Sequence, residues 1–465
     1  MYQDHLNRSA SSPVSTAPLA APAPLRVGLL GLGTVGGGTL AVLLRNAELI
    51  AARAGRCIEV RRVAVRNLPR AAATLARLAG ESASQQVQLT DDPHALVSSP
   101  DVDVVVEVMG GTTLARTLVL QAIANGKHVV TANKALLAEH GSEIFAAAQA
   151  RGVVVAYEGA VAVSIPIIKA LREGLTANRV EWVAGIINGT SNFILSAMRE
   201  RGLSFDAALA EAQALGYAEA DPAFDVQGTD AAHKLTLLAA NAFGVPPQFA
   251  DVQVQGITSL DAADVTFAER WGYRVKLLGI AKRLGDALEL RVHPTLLPAD
   301  HLLAQVHGSM NAVMVKSDAA GITLYYGAGA GAEPTGSAVI ADLVDLARSA
   351  SLPAHQRVSA LGFQSNAVQA MPVLEADAVQ SAFYVRLDLS RPDVTVPRVL
   401  QTLALAGVQV QRMEVLPHPA DDAQSCLVLL TQPLALRDLR PALQVVEAWP
   451  EVLGFASVLR MERLV

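Results

Sequence analysis

The sequence predicts an α/β protein that opens with a parallel β-sheet carrying helices on both faces. Three observations lead to this prediction. Short apolar runs alternate with helical stretches from Leu25 to about residue 157. A glycine-rich turn follows the first run and opens a helix. Two later runs, at 102–108 and 128–131, are mostly apolar, as strands buried on both faces are.

Composition narrows the class of protein further. The chain has 465 residues, 51% of them hydrophobic and 17% charged, which is enough apolar material for several domains. Its formal net charge of −6 argues against a nucleic-acid binder, because surfaces that follow phosphates are usually basic. No run approaches the ~18 apolar residues of a membrane span. Two cysteines, Cys57 and Cys426, are too few for a disulfide framework, so we expect a cytoplasmic protein.

The first residues differ from the rest in composition. From Ser9 to Pro24, 13 of 16 residues are Ser, Ala or Pro, a mixture that cannot form a packed core. We therefore expect a disordered tail over 1–24 and a dinucleotide-binding domain over 25–157.

The first strand, 26–30, runs into the motif G-L-G-T-V-G at 31–36. Its glycines permit a tight turn, let a pyrophosphate approach backbone N–H groups and allow close packing of helix on strand. The helix expected next, over 39–53, adds positive partial charge for phosphates at its N-terminus. This context favours a dinucleotide site over an ordinary turn. The expected contacts are Gly31, Gly33, Thr34, Val35 and Gly36.

The end of the second predicted strand, Val60–Val65, bears on the choice of cofactor. No acidic residue stands there, and Arg66 takes the position instead. An acid would bind the ribose hydroxyl of NAD, whereas Arg66 can pair with the 2′-phosphate of NADP. A solvated surface arginine is the alternative. We expect NADP as the cofactor, with NAD as the second choice.

The segment from Glu219 to Lys234 packs four carboxylates and a lysine into 16 residues. Its second half predicts a helix over 230–240, which places Asp230 and Lys234 on one face. Leucines next to Lys234 favour partial burial, and a desolvated lysine has a lowered pKa suited to proton transfer. Spacing alone leaves open the alternative of an ordinary salt bridge on a solvated helix.

Six segments carry motifs that resemble the homoserine dehydrogenase family, in the family's order and over nearly the whole chain from Leu25 onward. These segments are Val27–Gly36, Gly126–Leu136, Tyr157–Ile168, Gly185–Ile194, Gly216–Lys234 and Gly327–Thr335. The resemblance implies a reversible NAD(P)-linked reaction between L-aspartate 4-semialdehyde and L-homoserine, in the branch that leads to threonine and methionine.

The resemblance also implies roles for single residues. Lys234 is expected to give its proton to the aldehyde oxygen during reduction, with Asp230 orienting it and Lys134 beside the nicotinamide and the substrate. Two lysines in one site would lower each other's pKa. Glu219 is expected to bind the substrate's ammonium group, and Asp225 to complete the polar site unless it is a structural cap. Further cofactor contacts are expected at Thr131, Lys134, Gly216 and Gly331.

The family holds a monovalent cation, expected here to be sodium, with a glutamate and backbone carbonyls. By resemblance those positions are Glu158, Val161, Val163 and Ile165, although Glu158 as a cap of neighbouring backbone is the alternative. The family usually has Gly-Gly where this chain has Val163-Ser164. A β-branched valine resists a positive φ, so we expect strain there if the glycine geometry is kept.

The remaining apolar runs predict strands at 179–187, 256–257, 276–281 and 288–292, which suggest a mixed sheet. By resemblance, residues 158–330 form the α+β domain for substrate binding, catalysis and dimerisation. A helix expected over 335–350 falls within residues 331–360, which would complete the nucleotide-binding domain.

After a linker predicted at 366–382, the elements expected over 383–465 follow the order βαββαβ, with the first helix at 396–406. This order resembles an ACT domain, a ferredoxin-like module that binds amino acids at dimer interfaces. The usual Pro-Gly before the first helix is Pro392-Asp393 here. Threonine is a candidate effector, and a packing module without ligand is the alternative. We expect a homodimer or homotetramer.

Two other functions stay open on the sequence. One is a catalytically weak paralogue that acts as an amino-acid sensor or assembly protein, which Val163-Ser164 suggests. The other is a different amino-acid dehydrogenase on the same fold, against which the complete Glu219–Lys234 block argues. The intact Lys134, Glu219, Asp230 and Lys234 favour the active dehydrogenase.

Overall fold

The computed structural model of the chain describes residues 22–464, apart from residues 85, 419 and 420. Most of the expected N-terminal tail, residues 1–21, lies outside this part. A six-stranded sheet occupies the N-terminal third, and the remaining strands join in an eleven-stranded sheet. No single helix of the described residues is long and apolar enough to cross a membrane. Only the helix pair at 34–54, bent by 83°, passes that test of length and composition.

Strands and helices alternate through the N-terminal third. They are β1 (Leu25–Leu30), α1 (Thr34–Arg45), α2 (Ala47–Ala54), β2 (Ile58–Ala64), α3 (Leu68–Ser84), β3 (Gln88–Thr90), α4 (Pro93–Ser98), β4 (Val104–Glu107), α5 (Thr113–Ala124), β5 (His128–Thr131), α6 (Lys134–Arg151) and β6 (Val155–Ala156). The strands pair in the order β3-β2-β1-β4-β5-β6, all parallel. This doubly wound, Rossmann-type order confirms the predicted fold class.

The first helix begins earlier than expected and is interrupted. Its first residue is Thr34, directly after the glycine turn, and it ends before Asn46, where the backbone turns to φ −111° and ψ 21°. A second helix starts at once in a new direction. The prediction of one helix over 39–53 was therefore wrong, because its periodicity could not reveal the bend at Asn46.

The middle of the chain supplies strands β7 to β12 of the eleven-stranded sheet and the helices between them. Its elements are α7 (Ile167–Lys169), β7 (Val180–Ile186), α8 (Gly189–Arg201), α9 (Phe205–Ala214), α10 (Ala223–Val226), α11 (Thr229–Phe243), β8 (Gln253–Val254), α12 (Ala262–Arg270), β9 (Tyr273–Leu284), β10 (Ala287–Pro298), β11 (Met310–Ser317), β12 (Gly321–Ala328) and α13 (Ala332–Ser349). The strand predicted at 256–257 was wrong. Gly256 lies in a loop where a Cβ would overlap the Val226 carbonyl.

The C-terminal residues form a third group of elements, which follow the order βαββαβ apart from one short extra strand. They are β13 (Gln380–Leu389), α14 (Pro392–Leu405), β14 (Val410–His418), β15 (Asp421–Thr431), β16 (Leu434–Ala435), α15 (Leu436–Glu447) and β17 (Val452–Met461). The first of these strands starts inside the segment predicted as a linker. The first of these helices starts at Pro392 rather than Val396, since proline suits the first helical position.

The C-terminal elements share one sheet with the middle of the chain. The strand order is β12-β11-β7-β9-β10-β17-β13-β15-β14, and β10 pairs with β17 in parallel through Thr295 and Arg460. A buried ion pair between Arg291 on β10 and Glu462, the residue directly after β17, has its atoms 3.0 Å apart. The sheet is mixed, as predicted. It also contains an antiparallel hairpin of β11 and β12, which the sequence analysis did not predict.

Helix α13 carries the chain back to the nucleotide-binding sheet. Its first residue, Ala332, lies so close to Gly38 of α1 that a Cβ on Gly38 would overlap the Ala332 carbonyl. Gly336, one turn further on, meets the backbone of Thr39 in the same way. The two helices therefore pack backbone against backbone, and the loop that precedes α13 is brought next to the glycine turn.

Candidate active site

A buried cluster of two lysines and one aspartate lies between α6 and α11. Asp230 and Lys234 are one turn apart on α11, with Oδ2 and Nζ 2.8 Å from each other. Lys134, in the first turn of α6, reaches the other oxygen of the same carboxylate, with Nζ 3.1 Å from Oδ1. Asp230 is 3% exposed and Lys234 is 7% exposed, so the cluster is largely shielded from water.

Local sequence explains how these side chains meet. Helix α6 begins after Asn133, whose Oδ1 accepts the Leu136 N–H at 3.1 Å as a helix cap. Helix α11 begins after Gly228, which adopts a left-handed φ of 86°. The two helices pack against each other, and Lys234 points to the end of β7, where its Nζ donates to the Ile187 carbonyl at 2.7 Å.

The charges in this cluster act strongly on one another. Burial acts to raise the pKa of Asp230, but the two ammonium groups outweigh it and hold that pKa below its ordinary value. Burial lowers the pKa of Lys234, and the positive charge of Lys134 lowers it further, against the pull of Asp230. A lysine whose pKa is lowered in this way can exchange its proton closer to neutral pH than a free lysine can.

Asn188 links the cluster to a second carboxylate. Its Nδ2 donates to Asp230 Oδ2 and to Asp225 Oδ1, both at 2.8 Å. Burial, followed by the charge of Asp230, raises the pKa of Asp225. The sequence analysis missed Asn188, although an Asn-Gly-Thr-Ser run before a helix is an N-cap signature, and Asn188 Oδ1 does accept the Ser191 N–H at 2.8 Å.

Glu219 lies apart from this cluster. Its side chain is exposed on the loop after α9, and no ion pair or side-chain hydrogen bond of its carboxylate is found among the described residues. Gly216, on the same loop, is also exposed and has φ of 76°. The structure thus brings Asp225, but not Glu219, into hydrogen-bonded contact with the lysine cluster.

His233, next to Lys234 on α11, is packed as a core residue. Its ring lies between those of Phe224 and Phe249, with centroids 5.3 Å and 4.3 Å away. Burial lowers its pKa to about 4, so the imidazole is neutral at pH 7. This side chain supports the wall of the site and carries no charge there.

The glycine turn leaves open space at the start of α1. Gly31 has φ of 102°, and a Cβ on Gly36 would overlap the Gly31 carbonyl. Gly33 is exposed, and no atom lies within 4 Å of where its Cβ would stand. The N–H groups of Thr34, Val35 and Gly36 belong to the first turn, which has no helical partners for them. This turn fits the pyrophosphate of a dinucleotide.

Arg66 stands at the same edge of the sheet, after β2. Its side chain is exposed, and it forms no ion pair in the part of the chain that the structure describes. The end of β2 lies beside the glycine turn, because the Gly31 N–H donates to the Ala64 carbonyl at 3.0 Å. A phosphate on the adenosine ribose is the kind of group that such a guanidinium binds.

Thr131 ends β5, three residues before Lys134, and Gly331 directly precedes α13. The Thr131 hydroxyl donates to the buried carboxylate of Glu107 at 2.6 Å, so its side chain is already engaged within the protein. Burial raises the pKa of Glu107. Gly331 has φ of 131° and precedes Ala332, whose carbonyl lies against α1, so this glycine is close to the nucleotide turn.

The segment that begins at Glu158 contains carboxylate oxygens with backbone partners and two backbone carbonyls with no partner among the described residues. Both oxygens of the Glu158 carboxylate accept backbone N–H groups, from Ile168 at 3.0 Å and Lys169 at 2.8 Å. The carbonyls of Val161 and Val163 accept no hydrogen bond among the described residues, although Val161 is 0% exposed. Buried unpaired carbonyls are rare, and hard cations take such oxygens as ligands. The carbonyls of Val161 and Val163 are therefore available to a cation, whereas the Glu158 carboxylate already caps the backbone of Ile168 and Lys169, as the alternative interpretation expects.

Val163 has the strained backbone that we expect if the glycine geometry of the family is kept. Its φ is 57°, in the left-handed region that a β-branched residue rarely enters. Ser164 donates its hydroxyl to the Ala328 carbonyl at 2.7 Å. The Ile165 carbonyl accepts the Ile167 N–H at 2.8 Å, so it is less free to bind a cation than those of Val161 and Val163.

Comparisons with known proteins agree with this arrangement. A family model described as "Homoserine dehydrogenase" matches residues 166–344, and one described as "Homoserine dehydrogenase, NAD binding domain" matches residues 31–158. The chain is 51% identical over 441 residues to the homoserine dehydrogenase of Pseudomonas aeruginosa, covering 95% of this chain and 99% of that protein. It is 48% identical over 444 residues to that of Neisseria gonorrhoeae, with coverages of 95% and 99%.

Solved structures give the same result. A homoserine dehydrogenase crystal structure from Thiobacillus denitrificans superposes with a TM-score of 0.89 at 54% identity, covering 95% of this chain and 99% of that one. A hyperthermophilic archaeal homoserine dehydrogenase in complex with NADPH has a TM-score of 0.58 at 25% identity, covering 70% and 97%. These comparisons give no support to the alternative of a catalytically weak paralogue.

Proposed function

The chain belongs to the homoserine dehydrogenase family, and we propose that the cluster of Lys134, Asp230 and Lys234 is its catalytic centre. It is an NAD(P)-dependent oxidoreductase that interconverts L-aspartate 4-semialdehyde and L-homoserine. The single observation that carries the assignment of the centre is the Asp230 carboxylate, buried and shared between two lysines.

Lys234 is the proton donor in the reductive direction. A reduced nicotinamide, when bound, would supply the hydride for the aldehyde carbon. As the carbonyl bond becomes an alkoxide, the Lys234 ammonium transfers one proton to the oxygen, which leaves a neutral amine and the alcohol. In the oxidative direction the neutral amine accepts the hydroxyl proton. The lowered pKa of Lys234 favours both transfers near neutral pH.

Lys134 and Asp230 prepare that transfer. Asp230 and the Ile187 carbonyl together hold the Lys234 ammonium in place. Because an ammonium has three N–H groups, one N–H of Lys234 is left for the substrate. Lys134 is 32% exposed at its side chain, so its ammonium can stabilise the developing alkoxide from the open side of the site.

Asp225 and Glu219 are the proposed ligands of the amino acid part of the substrate. Asp225 is already held beside the cluster by Asn188. Glu219 would bind the ammonium group after its loop turns inward. Gly216 and Gly228, both with left-handed φ, bound that loop and can accommodate the change of direction.

The cofactor is proposed to be NADP, with its pyrophosphate on the glycine turn and its 2′-phosphate on Arg66. Gly331 and the Thr131 backbone would provide further cofactor contacts, and Gly216 would complete them from the substrate loop. The open space at Gly33 and the exposed, unpaired side chain of Arg66 support this placement.

A monovalent cation, sodium, is proposed to bind at Glu158 and the carbonyls of Val161, Val163 and Ile165. The buried carbonyl of Val161, which has no partner among the described residues, is the observation in its favour. Such a cation would supply positive charge that satisfies these oxygens and fixes the backbone segment before α7.

The C-terminal residues 383–465 are proposed to act as an ACT-like regulatory module with threonine as the effector. They have a hydrophobic core of their own, which includes Phe383, Leu387, Leu429 and Leu443. Threonine added to the assay should lower activity. Unchanged activity would favour a packing module without ligand.

A homodimer or homotetramer is proposed from the edge of the large sheet. Ile322, Leu324 and Tyr326 alternate on one face of β12 and are 44%, 38% and 57% exposed. An apolar stripe of this kind on an edge strand suits pairing with a second copy. Light scattering should give a mass that is a multiple of 48.7 kDa, and Tyr326→Glu should reduce the measured mass.

The free thiols of Cys57 and Cys426 suit a reducing cytoplasm.

The experiment that tests the catalytic centre is NADPH oxidation with L-aspartate 4-semialdehyde. Wild type should turn over, and Lys234→Ala should lose at least about a hundredfold in kcat. Lys127→Ala is the matched control, because Lys127 is also buried but, within the described part of the chain, donates only to the carbonyls of Ser99 and Val102. Equal activity of Lys234→Ala and wild type would contradict the proposal.

A further inference from the structure

Asn311, at the start of β11, has a side-chain amide that is wholly buried and wholly unpaired. The residue is 0% exposed, and neither Nδ2 nor Oδ1 has a hydrogen-bond partner among the described residues. A buried amide without partners is unfavourable by several kcal/mol on transfer scales. Such a group in a folded protein calls for an explanation, and a partner supplied by a ligand is one.

The position of Asn311 places this amide between the two halves of the site. On one side is Gly189, the first residue of α8, where a Cβ would lie 3.6 Å from Asn311 Oδ1. The residue before it is Asn188, which binds the carboxylates of Asp225 and Asp230.

On the other side of the amide is the glycine-rich loop that precedes α13. A Cβ on Gly329 would overlap Asn311 Nδ2, so the amide packs directly on the backbone of this loop. Three residues later, Ala332 contacts Gly38 of α1, the helix that follows the glycine turn. Asn311 therefore lies where a dinucleotide that starts on α1 would reach the lysine cluster.

We propose that Asn311 binds the carboxamide of the nicotinamide ring, and this inference rests on the function proposed above. The chemistry of the amide selects the ligand class. Asn311 has both a donor and an acceptor unsatisfied, and a primary carboxamide offers the complementary acceptor and donor in one plane. A carboxylate would satisfy only the donor. Because Gly329 covers the amide, its loop shifts when the ring enters.

The test measures binding in the absence of substrate. Purified full-length wild type and Asn311→Ala are titrated with NADP⁺, with its 3-acetylpyridine analogue and with 2′,5′-ADP. The analogue replaces the carboxamide NH₂ with a methyl group, and 2′,5′-ADP has no nicotinamide at all. Ser317→Ala is the matched control, since Ser317 is also buried on β11 with an unpaired side chain.

Asn311→Ala should weaken NADP⁺ binding by roughly tenfold, the usual effect of one lost buried hydrogen bond. The variant should weaken binding of the analogue less, and it should leave the affinity for 2′,5′-ADP unchanged. Ser317→Ala should match wild type with all three ligands. A second variant, Asn311→Asp, keeps the shape and the acceptor but loses the donor to the ligand carbonyl, which both ligands have, so it should weaken NADP⁺ and the analogue alike and keep the discrimination between them.

Two results would overturn the inference. The first is unchanged NADP⁺ affinity in both Asn311 variants, which would mean that a buried water satisfies the amide. The second is an equal loss for NADP⁺ and 2′,5′-ADP, which would mean that Asn311 only supports the fold. Failure of the wild type to bind 2′,5′-ADP and NADP⁺ would instead overturn the dinucleotide site itself, and this inference with it.

Discussion

Lys134 and Lys234 bind different oxygens of the same carboxylate, that of Asp230, at 3.1 Å and 2.8 Å. One lysine comes from the first turn of α6 and the other from α11, a hundred residues further along the chain. Asp230 thus keeps two cations together in a largely buried space. Each cation acts on the other, and this relationship leads to the first prediction.

Lys134→Met should move the pH dependence of the reaction to higher pH. The positive charge of Lys134 helps to lower the pKa of Lys234, so its removal raises that pKa. Reduction needs Lys234 protonated, so its rate falls as pH rises through this pKa, and the fall should occur at higher pH in the variant. The rise of the oxidation rate should shift in the same direction. We also expect kcat to drop by about tenfold or more.

The measurement is kcat against pH in both directions. Lys127→Met, which removes a buried lysine outside the cluster, should leave the midpoints in place. A shift to lower pH in Lys134→Met would contradict the proposed coupling.

Val163→Gly should destabilise the protein less than Val161→Gly does. Both valines are buried, so each change loses apolar contacts. Only Val163 has a positive φ, 57°, whereas Val161 has φ of −107°. Glycine releases strain at position 163, and the free energy of unfolding should favour Val163→Gly over Val161→Gly by about 1–3 kcal/mol.

Urea unfolding of the two variants measures that difference. Equal stabilities would show that Val163 is not strained in solution.

Adding NaCl in place of choline chloride should raise the stability of the wild type, since a cation that binds only the folded state stabilises it.

Gly38→Ala should destabilise the protein, while Gly37→Ala should not. A Cβ at position 38 would overlap the Ala332 carbonyl and force α1 and α13 apart, at a cost of about 1–3 kcal/mol or more. Apart from its chain neighbours and the backbone of its own helix, no atom of the described residues lies within 4 Å of the Cβ position of Gly37, so alanine there should gain roughly 0.5–1 kcal/mol of helix propensity. Thermal unfolding of the two neighbours separates helix contact from helix propensity. A higher Tm for Gly38→Ala would refute the packing argument.

Arg66→Ala should raise the KM for NADPH by roughly ten- to a hundredfold, because it removes a charge-assisted contact with the 2′-phosphate. The KM for NADH, which lacks that phosphate, should stay the same. Arg61→Ala is the control: Arg61 lies on β2 but is paired with Glu59 at 2.7 Å. A parallel loss with both cofactors would assign Arg66 to the pyrophosphate or to stability instead.

Several parts of the site could be read from the sequence because they are local. The glycine turn of Gly31 and Gly33 has its shape from consecutive residues, and it stands after a strand and before a helix as expected. Asp230 and Lys234 share a face because they are four residues apart on one helix. The βαββαβ order of the last elements likewise follows from short periodic runs.

Other parts depend on contacts between distant segments and could not be predicted in this way. Gly38 follows the glycine turn along the chain, and its lack of a side chain is required by the contact with Ala332 of α13. The exposure of Glu219 follows from how its loop packs, and motif spacing does not contain that information. The bend at Asn46 and the parallel pairing of β10 with β17 are of the same kind.

The sequence by itself determined the fold class, the family and the residue types that can move a proton, because these follow from periodicity, turn chemistry and ordered motifs. Only the tertiary structure decided that one carboxylate serves two lysines, that Val163 is strained and that the Asn311 amide has no partner. The physical reason is that pKa, strain and hydrogen-bond satisfaction are set by the surroundings in space, which residues far apart in the chain create together.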